Sequence, residues 1–362
     1  MRLLVSHNSA LELIRRREVR SSVERRQRCD APIPEQGPSD AEIADLIART
    51  PPLARIARPI EVLIAGEEGR RRSKLVKTHT APRELPPGSV ALIAPDIYCV
   101  SPEHLAVQMA PQLTELELIV LLSELMGVYA IAPELEGGMF QRRTAPTTRE
   151  AILAHLDALG SFAGASKVRR ALRYACVSSG SPRETKLSLR LGLNPARGGY
   201  GLDVLSMNAP LEVKRIHDRM RAGVRKPDVL LRAPAGAMRG GRPLLGVAVE
   251  YDGKDHASEG AHARDAERHN ELTAIGVVEY IVTKWQYRDL DYMDGLADQI
   301  RNELGVPAKR RTHAEARRLR LLRWRLYLEL DRIDGVNWSG RARERERAES
   351  GEVVPAEAYG LD

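Results

Sequence analysis

Aromatic side chains are scarce: Phe, Tyr and Trp make up 4% of 362 residues. The cores must therefore be built mainly from Leu, Val, Ile and Ala. Cysteine is nearly absent as well. Cys29, Cys99 and Cys176 are odd in number, far apart and free of any CxxC spacing, so neither a disulfide framework nor a zinc knuckle is indicated. A reduced, cytoplasmic setting fits that usage. Long apolar runs are missing too. The N-terminal MRLLVSHNSALELIRRR is broken by Ser6, His7, Asn8 and Glu12 before a signal-peptide core develops, and no later run approaches a membrane span. The expectation is a soluble protein with no membrane partner.

What is present is length and positive charge. A chain with 43% hydrophobic content can bury more than one core, which favours two or three domains. The formal charge of +7 comes from Arg-rich clusters, and clustering favours a polyanionic partner such as DNA over a merely soluble surface. Residues 1–59 alternate Arg clusters with the Pro-rich CDAPIPEQGPSD and read as a loosely ordered basic arm with one or two short helices. Residues 60–178 read as a small α+β domain with a helical connection. IEVLIA and SVALIA are strand-like, SPEHLAVQMA opens a helix with Ser-Pro, and LTELELIVLLSELMG is apolar enough to be a buried helix. Between those strands lies EEGRRRSKLVKTH, either an exposed hairpin or a phosphate-binding edge.

The chemistry concentrates further on. In SGSPRETKLSLRLGL, Ser181, Pro182 and Glu184 have capping-box spacing, which by itself accounts for all three. RKPDVLLRAP reads as a strand with Asp228 near its start, AGAMRGGRP as a Gly-rich connection, and LLGVAVEYDG as the next strand. If the two strands run antiparallel about a tip near residues 237–240, Asp228 faces Glu250 or Asp252. Alternation then puts Gly246, Ala248, Glu250 and Asp252 on one face and Val247, Val249 and Tyr251 on the other. Two unit charges about 4 Å apart repel by roughly 4 kcal/mol at an effective dielectric near 20, so a positive group belongs among these acids. Mg²⁺ is the economical choice, since it takes oxygen ligands from one or two carboxylates and completes its shell with water and phosphate. Lys254 is a second possible counterion. A strand ending at solvent, with Asp252-Gly253 as a turn, is the plain alternative.

The order Ser181-Pro182-x-Glu184, then Lys226-Pro227-Asp228 before a strand, then VEYDG with His256 following, then Asp265-x-x-Arg268 on a helix ending near Leu272 and Gly276, resembles the Vsr-like (very-short-patch-repair endonuclease-like) branch of the PD-(D/E)XK nuclease superfamily. The resemblance spans about residues 179–305. It implies a restriction-endonuclease-like mixed sheet flanked by helices, with acids gathered at one sheet end around Mg²⁺ or Mn²⁺. It carries metal binding onto Asp228, Glu250 and Asp252, and a supporting acid onto Glu184. The superfamily's lysine would stand two residues after Glu250, where this chain has Asp252. Reading Asp252-Gly253-Lys254 as the D-x-K restores the spacing, and His256 is a further candidate for proton transfer. Arg264 and Arg268, one helical turn apart, are candidates for holding phosphate, with pairing of Arg268 to Asp265 as the cheaper use.

The upstream region more weakly resembles actinobacterial proteins related to AbiEi-type antitoxins, which implies a toxin protein as another possible partner. Residues 306–362 read as a basic amphipathic helix and tail: Leu319, Leu322, Leu326, Leu330 and Ile333 recur at steps of three and four among arginines. Docking on the preceding domain is its plain role. The reading as a whole is an α/β protein whose third segment is a Mg²⁺-dependent DNA endonuclease or nickase of genome defence or repair. The alternative is a non-catalytic DNA-binding or antitoxin-like regulator that keeps the nuclease fold.

Overall fold

A computed structural model describes residues 2–19, 21–23, 28–81, 84–216, 221–252, 259–307 and 310–350, with side chains at 259–265, 347, 348 and 350 left aside. The chain divides into two compact units. One comprises residues up to Ala175 together with Trp338–Arg343, the other Cys176–Asn337 and the residues from Glu344.

The first unit is built on a six-stranded mixed sheet. Its strands are β1 (Leu3–Val5), β2 (Arg28–Cys29), β3 (Ile60–Ile64), β4 (Val76–Thr80), β5 (Val90–Ala94) and β6 (Ile97–Val100), in the spatial order β2-β5-β6-β1-β3-β4. A separate ribbon joins β7 (Tyr129–Ile131) to β8 (Met139–Gln141). Helices α1 (His7–Arg15), α2 (Asp40–Arg49), α3 (Pro51–Ala54), α4 (Pro102–Met109), α5 (Glu115–Leu125), α6 (Arg149–Leu159) and α7 (Ala165–Leu172) complete it. The segment expected to be a loose arm instead supplies β1, parallel to β6 and antiparallel to β3 in the middle of the sheet. The reason is its apolar content. Leu3, Leu4, Val5, Leu11, Leu13 and Ile14 are all buried, and the Arg15 guanidinium is held by Glu124 at 2.8 and 2.6 Å. Helix α5 is buried along almost its whole length, as its apolar sequence predicts. The basic connection after β3 turns back on itself as a short hairpin, Arg72 bridging Lys77 antiparallel and the Thr78 N–H donating to the Arg71 carbonyl at 3.1 Å, before β4 runs parallel to β3.

The second unit carries a four-stranded sheet in the order β16-β15-β12-β9, formed by β9 (Val204–Ser206), β12 (Val229–Arg232), β15 (Gly246–Asp252) and β16 (Val277–Thr283). Two small ribbons accompany it: β10 (Leu211–Lys214) with β11 (Ala222–Arg225), and β13 (Met238–Arg239) with β14 (Arg242–Pro243). The helices are α8 (Pro182–Gly192), α9 (Glu259–Ala274), α10 (Lys284–Arg288), α11 (Leu290–Glu303) and α12 (His313–Arg332). Strands β12 and β15 pair antiparallel, as expected, with the chain reversing at Gly240 and Gly241, both at positive φ. Helix α9 then returns the chain so that β16 runs parallel to β15 along seven residue pairs. On one sheet face Leu230, Ala248 and Val277 pack with Leu272 of α9. Helix α8 lies against β9 and β15, and α12 packs on α8.

Helix α12 follows the sequence reading closely. Thr312 and Glu315 form its capping box, and Leu326, Leu330 and Ile333 are buried. Arg323 bonds Asp294 at 2.8 Å and Arg320 bonds Asp291 at 2.5 Å, whereas Arg317, Arg318 and Arg325 are exposed. The helix is thus docked on its own unit with part of its Arg face solvated. No helix among the described residues is long and apolar enough to cross a membrane.

Candidate active site

The β12–β15 register decides the site. Val229 pairs with Val249, and one step earlier Asp228 stands opposite Glu250. The Tyr251 N–H donates to Asp228 Oδ2 at 2.8 Å and the Asp228 N–H donates to Glu250 Oε1 at 3.3 Å, so each strand fixes the other's acid. The two carboxyls are close enough that the Asp228 charge, added to burial, holds the Glu250 carboxyl above its ordinary range. Both lie on the sheet face that α9 covers, where alternation places them with Leu230 and Ala248.

Glu184 reaches the pair from α8. Ser181 caps that helix as its sequence predicts, accepting from the Glu184 N–H at 3.1 Å. The Glu184 carboxylate does not close a capping box. Its Oε2 accepts from the Gly180 N–H and from Asn208 Nδ2, each at 2.7 Å. Asn208 is itself anchored, its N–H donating to the Pro227 carbonyl next to Asp228 at 2.8 Å. Capping accounts for Ser181 and Pro182, and Glu184 belongs to the acid cluster.

Two residues that the sequence reading passed over complete the cluster. Glu279 on β16 is almost wholly buried and accepts from Arg268 Nε at 3.0 Å. His269, on the next position of α9, lies 3.3 Å from the other Glu279 oxygen. Arg268 also pairs with Glu250. Its guanidinium is therefore engaged by two carboxylates across the sheet and is not a free phosphate clamp, while the Asp265 side chain lies outside the described residues. Glu271, on the same helix, turns elsewhere, to Arg225 at 2.7 Å and Arg215 at 3.3 Å.

Charge is out of balance here. Glu184, Asp228, Glu250 and Glu279 are four carboxyls around one guanidinium, so the metal-free site holds protons. Burial, then the charges of Asp228 and Glu279, push Glu250 up to about 8 against the pull of Arg268. Burial also raises Asp228, and burial with the Asp228 charge raises Glu184. Asp252 ends β15 exposed, beyond this buried group. Lys254 and His256 lie outside the described residues, as does the Arg264 side chain.

The donor set suits a hard cation in number and type. Asp228 and Glu250 are two adjacent oxygen donors, which suffices for an ion that takes one or two carboxylates, water and phosphate. A preformed cage is not what they make. Among the described residues, the group of three His, Cys, Asp or Glu side chains whose ligand atoms come within 4.8 Å of one another is His7, Glu61 and His79, in the first unit. Comparison with protein-family models, curated proteins and solved structures finds no match to the chain.

Proposed function

We propose that the second unit is a Mg²⁺- or Mn²⁺-dependent DNA endonuclease or nickase of restriction-endonuclease-like architecture. The observation that carries the reading is the buried, register-fixed pair Asp228–Glu250 with Glu184 beside it. Four acids gathered about one arginine leave an excess of negative charge that a stable core has no reason to assemble. Asp228 and Glu250 would hold the ion, and Glu184, oriented by Asn208 and Gly180, would position a water from the side. The ion supplies polarisation of a phosphodiester and a lowered pKa for a bound water. This chain's own part is to orient those donors on facing strands, to exclude water on the α9 side through Leu230 and Leu272, and to hold Glu250 ready to give up its proton as the cation enters. With Glu250 engaged by an ion, Arg268 would keep Glu279 as its partner and could present its guanidinium to a phosphate oxygen.

The test is metal-dependent nicking of supercoiled plasmid by the full chain. Asp228→Asn and Glu250→Gln should each leave folding intact and lower cleavage by two orders of magnitude or more, about 3 kcal/mol of transition-state stabilisation. Absence of any Mg²⁺- or Mn²⁺-dependent cleavage by the wild-type protein would sink the reading.

The regulator alternative has its own observation. Arg268 already stands as an internal counterion between Glu250 and Glu279, the arrangement of a retired site that binds DNA without cutting it. It predicts DNA binding that is indifferent to divalent ions.

A further inference from the structure

A second cluster of ionisable groups, in the first unit, plays no part in the site above. His7 opens α1 with φ +50, a conformation side-chain-bearing residues rarely hold. Its Nδ1 lies 3.0 Å from the hydroxyl of the buried Ser6, which leaves Nε2 as the nitrogen available to a ligand. Glu61 on β3 is buried, and its Oε1 accepts from Lys77 Nζ at 3.2 Å. The parallel register sets Glu61 beside Lys77, and alternation puts His79 on that same face of β4. There His79 Nε2 faces Glu61 Oε2 at 3.3 Å. Both atoms are closed off from solvent, and neither completes a hydrogen bond. The His7 and His79 rings stack at 3.7 Å between centroids.

His79 Nε2 and Glu61 Oε2 make a short ion pair without a well-aligned hydrogen bond, and a cation ligated by both would satisfy these buried atoms. A tetrahedral ion with bonds of about 2.0–2.1 Å sets neighbouring ligand atoms about 3.4 Å apart, close to the separation of His79 from Glu61, whereas an octahedral ion at similar bond lengths asks for about 3.0 Å. Two imidazoles and one carboxylate are also the donor set of an open four-coordinate zinc site, with Ser6 and Lys77 as the outer groups that orient His7 and Glu61. His79 has one further role. With Arg70, Arg71, Arg72, Lys77 and Thr78 it lines a pocket of about 390 Å³ walled mainly by cations.

We propose that His7, Glu61 and His79 bind Zn²⁺, and that its open position takes an anionic ligand, with phosphate as the simplest, drawn from the basic pocket.

Full-length protein stripped by chelator and titrated against a chromophoric zinc indicator should take up one zinc per chain. Substitution by Co²⁺ should give the intense visible absorption of a tetrahedral site. Glu61→Gln and His79→Ala should each weaken zinc binding by about a hundredfold or more, with far-UV circular dichroism of the metal-free proteins unchanged. Because Glu61→Gln keeps size and the Lys77 contact, it serves should His79→Ala not fold. The double variant Asp228→Asn, Glu250→Gln should keep the full zinc stoichiometry, which separates this site from the acid cluster. Inorganic phosphate should tighten zinc binding several-fold in the wild type and not in Arg71→Ala/Arg72→Ala. Folded wild type that takes up no zinc, or uptake unmoved by Glu61→Gln, would overturn the metal site, as would weak octahedral cobalt absorption. A phosphate effect equal in both proteins would overturn the pocket's share.

Discussion

Glu250 carries the largest single consequence at the level of one residue. In the unfolded chain its carboxyl loses its proton near the ordinary value of 4.5, while in the fold it keeps the proton to about 8. Between those values the native state binds more protons than the unfolded state, so stability must fall as pH rises through that window. Asp228 and Glu184 are shifted in the same direction and add to the slope. The wild type should therefore lose on the order of 4 kcal/mol between pH 5 and pH 8.5. Glu250→Gln, which has no proton to lose, should show a visibly flatter dependence and the higher melting temperature at pH 8.5. Denaturant titrations of both proteins across that range decide it. A wild-type curve that is level or rising over pH 5–8.5 would place the carboxyls in ordinary solvent. Some of this was legible beforehand. Asp228 and Glu250 can be picked out because a period of two fixes their directions, whereas the helix-start signal at Glu184 points to capping and only the resemblance places it among the acids. Glu279 cannot, because its relevance depends on β16 pairing parallel to β15, a contact made only after the chain has passed through α9.

The hairpin is the element on which the site depends, and its register is guarded by a glycine. Gly246 pairs with Arg232, and a Cβ there would stand 2.4 Å from the Leu231 carbonyl oxygen, a backbone atom with no room to yield. Gly246→Ala should therefore push β12 from β15, costing about 1–3 kcal/mol, and blur the Asp228–Glu250 alignment about 13 Å down a strand rising about 3.3 Å per residue. Calorimetry would register the first effect, and plasmid nicking at saturating Mg²⁺ the second. A variant as stable and as active as the wild type would mean that the register is set elsewhere. Pairing of these strands was readable because turn residues and apolar alternation agree. Strand β1 was not, since three residues beside an Arg cluster carry too little periodic signal, and their partners β3 and β6 lie far along the chain. The same distance concealed His7, Glu61 and His79, which no local motif joins.

For the molecule as a whole, the excess positive charge is unevenly available. Along α12, Arg320 and Arg323 are committed to Asp291 and Asp294, while Arg317, Arg318 and Arg325 remain exposed. If those three meet DNA phosphates, replacing them together with alanine should flatten the slope of log affinity against log salt by up to about 2.7, roughly 0.9 for each lost contact. Fluorescence anisotropy with labelled duplex over a salt series gives the slope directly, and an unchanged slope would make this face purely solubilising. The basic amphipathic pattern foretold the helix and its docking. What it left open was which arginines are spent inside the protein, because the acids that hold them sit on α11, outside the pattern.

The placement of β1 bears on how the first unit comes into being. This strand precedes both of its neighbours, β3 and β6, along the chain, so both of its edges stay open until the chain has been made through Val100. Sheet closure is thereby a late event that waits on distant sequence, and such non-local pairing is slow. Through that interval an apolar strand with unpaired backbone is available to any other unpaired edge. The arginines crowded between residues 15 and 26 follow it in the chain, a like charge that opposes the approach of a second copy to that open strand.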